Sequence, residues 1–251
     1  MHPFTQLLVL CLITACKGKE NQGSYAGNSH PVYDSIAAIP LPEGYERVEA
    51  PKDSFGEWLR LITLKKENLV YLYNGALKEN QSVQYAVMNI PVGKKDLQQC
   101  ADAVMRLRAE YLFSKGRFSE IEFRDNNNKS YKWSGGNNRQ GFERYMEQVF
   151  GWCGTASLAK QLRSVDMEDI QQGDVFIKGG FPGHAMIVMD VAMNKQGKKI
   201  YMLAQSYMPA QDIHIVKNAM KEEDTCWYEA DESYEIITPE WVFYANQLKR
   251  W

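Results

Sequence analysis

The chain has 251 residues, of which 45% are hydrophobic and 24% are charged, and its 29 Lys and Arg against 31 Asp and Glu give a formal net charge of −2. This composition fits one medium-sized globular domain or two small ones, and it excludes a collagen-like, coiled-coil or largely disordered chain. A near-neutral chain also lacks the basic surface that nucleic-acid binding normally requires, so we expect no nucleic-acid partner.

The N-terminus carries a predicted targeting segment. Residues 4–15 are almost continuously apolar, but this stretch is shorter than the roughly 20 residues that a membrane-spanning helix needs. It ends in small residues directly before a cysteine, and the order Ile13-Thr14-Ala15-Cys16 resembles the bacterial lipobox. We therefore expect a lipoprotein signal peptide over 1–15 and lipidation of Cys16, with an ordinary secretory signal or a misassigned start codon as alternatives. The lipid would hold the protein at a membrane of the cell envelope, outside the cytoplasm and on either the periplasmic or the surface side.

The rest of the chain divides into a predicted tether and a predicted domain. Residues 16–35 are mainly polar and predict a flexible tether, whereas 36–251 predict a single domain. Within that domain, Ser54 and Glu57 have the spacing of a capping box that begins a short helix. Strands are predicted over 69–73 and 85–90.

The clearest predicted helix covers residues 96–114, because apolar residues recur there at intervals of three and four and Gly116 follows. This pattern places Cys100 on the side of the helix that faces the core. Free cysteine is a small residue that is often buried, so the sequence predicts a structural thiol at this position.

The second half of the chain changes from helix to strand. A polar stretch over 124–141 predicts a loop or hairpin, and helices are predicted over 141–150 and 155–162. Short strands follow, at 174–178, 184–191, 199–206 and 212–216, with glycine-containing turns between them. Helices followed by an antiparallel meander predict an α+β fold.

Two residues in this half suggest a catalytic pair. Cys153 lies between glycines just before a predicted helix, where backbone N–H groups would stabilise a thiolate and could form an oxyanion hole. His184 opens a strand after a glycine-rich turn, a position that suits a general base. Strand alternation puts His184 on one face of the sheet together with Met186, Val188 and Asp190.

A third residue, Gln205, completes the predicted site. If the two strands pair as a hairpin, Gln205 reaches the far ring nitrogen of His184 and holds its tautomer. The order Cys153, His184, Gln205 is that of a cysteine-histidine-polar triad. The alternatives are that Cys153 is an inert buried thiol or a disulfide partner of Cys226, and that His184 is simply bonded to its turn. His214, which alternates with isoleucines, is predicted to face solvent.

The sequence predicts neither a metal site nor a cofactor. It contains no CxxC motif and no cluster of cysteine and histidine with the spacing of zinc ligands. Its oligomeric state is left open.

Two resemblances add to this interpretation. The segments Gly173-Asp174-Val175-Phe176-Ile177 and Gly183-His184-Ala185-Met186-Ile187-Val188 resemble the Gly-Asp strand and the His strand of NlpC-like papain-fold cell-wall peptidases. A longer resemblance, which includes residues 96–102 and 204–212, is to the Bacteroidota lipoprotein family catalogued as domain of unknown function 4846. These resemblances imply an NlpC-like papain-type fold, in which N-terminal helices pack on a mainly antiparallel sheet.

Together these observations predict an envelope lipoprotein that hydrolyses or transfers amide bonds of cell-wall peptide. Cys153 would be the nucleophile, His184 the base and Gln205 the orienting residue. The alternative is a non-catalytic papain-like domain that binds a peptide, a glycan or a partner protein in the same cleft.

Overall fold

A large antiparallel sheet forms the centre of the fold. The computed structural model describes residues 31–231 and 234–251, and residues 32–251 form one compact unit. The predicted signal peptide, Cys16 and nearly all of the predicted tether lie outside the described residues. Among the described residues, no helix combines the length and the apolar character that crossing a membrane requires.

The described part of the chain contains four α-helices and thirteen strands. The helices are α1 (Phe55–Arg60), α2 (Cys100–Ser114), α3 (Arg139–Trp152) and α4 (Thr155–Gln161). Single 3-10 turns cover Ile36–Ala38, Phe118–Glu120, Met167–Asp169 and Ala245–Gln247. The strands are β1 (Tyr45–Arg47), β2 (Gln84–Val87), β3 (Glu122–Arg124), β4 (Ser130–Lys132), β5 (Arg163–Ser164), β6 (Val175–Lys178), β7 (His184–Asn194), β8 (Lys199–Gln205), β9 (His214–Val216), β10 (Trp227–Ala230), β11 (Glu235–Ile237), β12 (Val242–Tyr244) and β13 (Leu248–Arg250).

Nine of these strands form the central sheet, in the order β2-β9-β8-β7-β6-β13-β5. Strand β1 pairs with the far end of β7, and β10 pairs with β8. Two separate hairpins, β3–β4 and β11–β12, complete the strands. Every pairing in the central sheet is antiparallel, because the chain returns through turns and loops rather than through crossover helices.

The alternating side chains of β7 bury two different cores. Ala185, Ile187 and Met189 belong to the larger apolar cluster, which includes buried apolar residues of all four helices. Met186 and Val188 belong to a smaller cluster on the opposite face, where Phe176, Tyr201 and Phe243 also pack. The predicted α+β class and the predicted alternation over this part of β7 are therefore confirmed.

The prediction that Asp190 shares the face of His184 is wrong. A β-bulge between Val188 and Asp190 adds one residue to β7 and reverses the alternation beyond it. The fully buried Asp190 carboxylate instead accepts hydrogen bonds from Nε of Arg47 at 2.7 Å and from Nε of Arg60, in α1, at 2.6 Å. This ion pair ties α1 to the centre of β7.

Two helix boundaries differ from the prediction. Helix α2 begins at Cys100, four residues after the predicted start, because Gln99 has extended backbone and its N–H donates to the Asp102 carboxylate at 3.0 Å. Helix α3 runs from Arg139 to Trp152 and so extends two residues beyond each end of the helix predicted over 141–150. The predicted capping box at Ser54 is present, and Ser54 Oγ accepts a hydrogen bond from the N–H of Glu57.

Two strand predictions also differ. The segment predicted as a strand over 69–73 forms only isolated bridges, from Tyr71 to Leu77 and from Leu72 to Gln211. His214, predicted to face solvent, is 0% exposed, because β9 is an inner strand of the sheet between β2 and β8.

Candidate active site

The predicted contact between His184 and Gln205 is present. His184 is the first residue of β7 and is 1% exposed, and Gln205 is the last residue of β8. Because Ile187 pairs with Ala204 in this hairpin, His184 and Gln205 are close on the same face of the sheet. The His184 Nε2 and Gln205 Oε1 atoms are 2.8 Å apart.

Gln205 also contacts two residues that the sequence did not suggest. Its side-chain nitrogen donates to the Glu240 carboxylate at 2.7 Å and lies 3.3 Å from Nε2 of His214, its partner on β9. The same Glu240 oxygen accepts a hydrogen bond from Lys78 Nζ at 2.6 Å. Gln205 is therefore the centre of a buried polar network.

Aromatic rings enclose the imidazole of His184. Its ring centre lies 4.8 Å from that of Tyr207, 5.2 Å from Trp241 and 5.8 Å from Phe243. Burial lowers the pKa of His184 to about 4, although the hydrogen bond to Gln205 opposes this shift. The ring is thus neutral at pH 7 and has a free lone pair, as a proton acceptor must.

Cys153 lies just before α4, as the sequence predicted, but its environment differs from the expected one. It is the C-cap of α3 and precedes Gly154, the N-cap of α4. Its side chain packs in the larger apolar cluster and is 6% exposed. Burial, and next the negative charges of Asp125 and Asp102, raise the pKa of its thiol to about 12.

The structure does not bring Cys153 to His184. Within the described ranges, the hydrogen bonds and ring contacts of His184 involve Gln205, Tyr207, Trp241 and Phe243, and none involves Cys153. The alternative of a disulfide between Cys153 and Cys226 is also absent, since both are free thiols, as is Cys100.

A different cysteine lies at this end of the sheet. Cys100 is the first residue of α2, and its side chain is half-buried. Burial raises the pKa of its thiol to about 11, while the backbone N–H groups of Ala101 and Ala185 act in the opposite direction. Ala185 directly follows His184, so the sulfur lies beside the beginning of β7.

Tyr207 provides a second link between this thiol and the imidazole. Its ring packs against His184, and the neighbouring Cys100 contributes to the raised pKa of its hydroxyl, after burial and Glu240. Cys100 thus lies near Ala185, which follows His184 in the chain, and near Tyr207, whose ring packs on that of His184. The chain order of Cys100, His184 and Gln205 is that of the predicted triad.

Two hydrogen bonds hold the start of α2 against the end of β8. Ser206 Oγ donates to the carbonyl oxygen of Gln98 at 2.8 Å, and the backbone N–H of Ala210 donates to the Asp96 carboxylate at 2.7 Å. The loop after Gln205 therefore positions the residues that lead into Cys100.

The glycine-rich turn before His184 packs against the start of α4. Thr155 Oγ1 donates to the carbonyl oxygen of Gly180 at 3.1 Å. A Cβ atom on Gly183 would lie 2.3 Å from that oxygen and 2.6 Å from Thr155 Oγ1, so a side chain cannot be accommodated there. This close approach explains the glycine and fixes where β7 begins.

The sequence contains a signal that a helix begins at Cys100, but the apolar repeat upstream of it obscures this signal. The pair Gln99 and Asp102 has the spacing of a capping box, which would have placed the helix start at Cys100. The apolar repeat that includes Leu97 extends the pattern upstream and obscures this start. No comparable local signal indicates Glu240 or Lys78, because they reach Gln205 from distant parts of the chain.

The chain belongs to the family described as domain of unknown function 4846, whose model matches residues 36–140 and 126–250. No curated protein and no solved structure matches it. Over residues 31–231 and 234–251, no group of three His, Cys, Asp or Glu side chains is arranged to hold a metal ion.

Proposed function

We propose that the protein is a cysteine-dependent amide hydrolase or transferase of the NlpC-like papain type, with Cys100 as its nucleophile. His184 is the general base and Gln205 the residue that orients it. The observation that carries this proposal is the position of the Cys100 sulfur, at the start of a helix and beside the N–H of Ala185.

The chemistry needs one proton acceptor and one set of backbone donors. Nδ1 of His184 takes the proton of the Cys100 thiol, and the thiolate attacks the carbonyl carbon of the amide. Backbone N–H groups at the start of α2 stabilise the oxyanion. The same proton then passes to the leaving amine, and water, or an acceptor amine in a transferase, resolves the thioester.

The Cys100 thiol and the His184 imidazole are both uncharged before substrate binds. Burial holds the thiol of Cys100 at a pKa of about 11 and the imidazole of His184 at about 4, so neither group is charged at pH 7. The proton therefore moves from Cys100 to His184 only when the substrate is bound. The backbone N–H groups at the start of α2 then stabilise the negative charge that develops on the substrate.

Cys100 takes the role that the sequence predicted for Cys153. Both cysteines precede His184 and Gln205 in the chain, so the order of the triad is the same. The two differ in position: Cys100 begins a 15-residue helix and is half-buried, whereas Cys153 ends a helix and is packed in the core.

The substrate and location parts of the proposal come from the sequence. The lipobox-like segment before Cys16 supports a lipid-anchored protein of the cell envelope. The resemblance of the Gly-Asp and His strands to cell-wall peptidases supports a peptide of the cell wall as substrate.

A non-catalytic binding domain is the second candidate, and one observation favours it. His184 is 1% exposed and enclosed by three aromatic rings, which is an unusual setting for a group that must meet a substrate. In that case the same cleft would bind a peptide, a glycan or a partner protein without cleaving it.

Hydrolysis of muropeptides, followed by mass spectrometry, separates these candidates. We expect cleavage by the wild-type protein and by Cys153→Ala, and none by Cys100→Ala or His184→Ala. Loss of cleavage in Cys153→Ala but not in Cys100→Ala would overturn the assignment of the nucleophile. Binding of the muropeptide without cleavage by the wild-type protein would favour the second candidate.

A further inference from the structure

The hydrogen bonds around Gln205 determine which nitrogen of His184 carries the proton. They begin with His214, whose Nδ1 lies 2.9 Å from the carbonyl oxygen of Asp212. A carbonyl oxygen can only accept, so Nδ1 of His214 must donate. Burial lowers the pKa of His214 to about 3, so the ring is neutral and its Nε2 offers a lone pair.

Two acceptors therefore face the same end of the Gln205 side chain. One is Nε2 of His214, and the other is the carboxylate of Glu240. The amide nitrogen of Gln205 must point towards them, because a reversed amide would place its oxygen against two acceptors. The amide oxygen is then left to face His184.

The remaining bond follows from this orientation. Since Gln205 Oε1 accepts, Nε2 of His184 must carry the proton and donate it over 2.8 Å. A neutral imidazole has one N–H, so Nδ1 of His184 is the unprotonated nitrogen. Within the described ranges no hydrogen bond involves this Nδ1, so its lone pair is open to the thiol or to a substrate.

Lys78 holds the Glu240 carboxylate in place. Their side chains are 8% and 16% exposed, and Glu240 belongs to the turn between β11 and β12. A buried ion pair gains little stability over apolar packing, so its presence here calls for another role. The next residue, Trp241, packs on the ring of His184, so the same turn both covers the imidazole and sets its hydrogen bonds.

We propose that Glu240, held by Lys78, is a positioning residue that sets the tautomer of His184 through the side-chain amide of Gln205. The importance of Glu240 for catalysis rests on the proposed function, whereas its effect on the tautomer of His184 does not depend on that function. A histidine in the wrong tautomer cannot act as the base, and in serine proteases such an error lowers kcat by about 10⁴.

Nitrogen-15 NMR of the histidine rings tests the proposal directly. The chain has four histidines, so the signal of His184 can be assigned by its loss in His184→Ala. In the wild-type protein we expect a proton on Nε2 and none on Nδ1. A wild-type spectrum with the proton on Nδ1 would overturn the proposal without any need for a variant of Glu240.

Three variants then separate positioning from folding. Glu240→Ala should give a mixture of the two tautomers, and Glu240→Gln should keep the wild-type tautomer because its amide oxygen can still accept. Glu229→Ala is the matched control, since Glu229 also pairs with lysines but lies at the other end of the sheet, opposite Ile200 of β8. An unchanged His184 tautomer in a folded Glu240→Ala protein would also contradict the proposal.

Kinetics distinguish failure of this inference from failure of the proposed function. If the protein cleaves muropeptides, kcat should fall at least about tenfold in Glu240→Ala with KM changed less than about twofold, and Glu240→Gln should restore it. Wild-type protein with the expected tautomer but no cleavage would reject the enzyme and retain the positioning role. Cleavage that is unaffected in Glu240→Ala would retain the enzyme and reject the positioning role.

Discussion

The backbone N–H of Ala185 lies close enough to the Cys100 thiol to oppose the rise of its pKa, which places the start of α2 beside the start of β7. This relationship is the basis for proposing Cys100 as the nucleophile, and it leads to a prediction about reactivity. Cys100 is half-buried, whereas Cys153 and Cys226 are 6% and 1% exposed. A reagent in solution therefore reaches Cys100 first.

We expect iodoacetamide to label Cys100 at least about tenfold faster than either other thiol in the described part of the chain. The rate should also rise about tenfold per pH unit between pH 7 and 9, because burial raises the thiol pKa to about 11 and only the thiolate reacts. Mass spectrometry of tryptic peptides measures both effects. Preferential labelling of Cys153 would contradict this prediction, and Cys100→Ser provides the control.

Gly183 should not tolerate a side chain. In Gly183→Ala, the new Cβ would lie within 2.8 Å of two backbone oxygens, those of Gly180 and Lys178. Relief requires movement of the turn, so we expect a loss of about 1–3 kcal/mol in the free energy of unfolding. Gly151→Ala is the control. Gly151 lies inside α3, and a Cβ on it would have no neighbouring atom within 4 Å, so this substitution should stabilise the protein by about 0.5–1 kcal/mol. Urea denaturation of both variants measures the difference, and equal effects would refute the steric argument.

The two buried histidines should make the protein less stable as the pH falls below 6.5. Burial lowers the pKa of His214 to about 3 and that of His184 to about 4, from 6.5 in an exposed chain. Between these values the unfolded chain binds protons that the folded chain does not. Stability is therefore fully present above pH 6.5 and is lost on acidification, by up to about 1.4 kcal/mol per pH unit for each histidine.

A variant of His214 separates the effect of histidine protonation on stability from the effect of the carboxylates. Asp102 acts with the opposite sign, because burial raises its pKa and its folded form therefore gains protons first. His214→Gln leaves Asp102 unchanged, so we expect its unfolding free energy to fall less steeply between pH 6.5 and 4 than that of the wild-type protein. Parallel curves for the two proteins, measured by urea denaturation, would show that His214 is not neutral in the folded state.

Local patterns allowed part of the site to be predicted. His184 and Gln205 lie on strands joined by a short hairpin, so alternation of period two and one turn suffice to bring them together. The α+β class follows from the same local patterns. The proposed nucleophile Cys100 was not predicted, because the helical repeat of apolar residues continues upstream of its cap, where Leu97 precedes the extended Gln99.

The rest of the site depends on contacts between distant parts of the chain. His214 is buried because β9 pairs with both β2 and β8, and no property of its own short strand indicates this order. Glu240 meets Lys78 only after the β11–β12 hairpin has folded back over the sheet. The face of Asp190 was mispredicted for a related reason, since a single bulged residue reverses the alternation of β7.

Asp190 provides the last prediction, which concerns stability rather than the site. Its fully buried carboxylate is bound by both Arg47 and Arg60, and the loss of one partner of a buried ion pair leaves uncompensated charge. We therefore expect Asp190→Ala to lower the free energy of unfolding by about 3–5 kcal/mol. Glu120→Ala is the matched control: Glu120 pairs with Arg117 at the surface, and the loss of such a pair should cost at most about 1 kcal/mol. Urea denaturation monitored by tryptophan fluorescence compares the two, and similar losses would show that the Asp190 pair contributes no more than a surface pair.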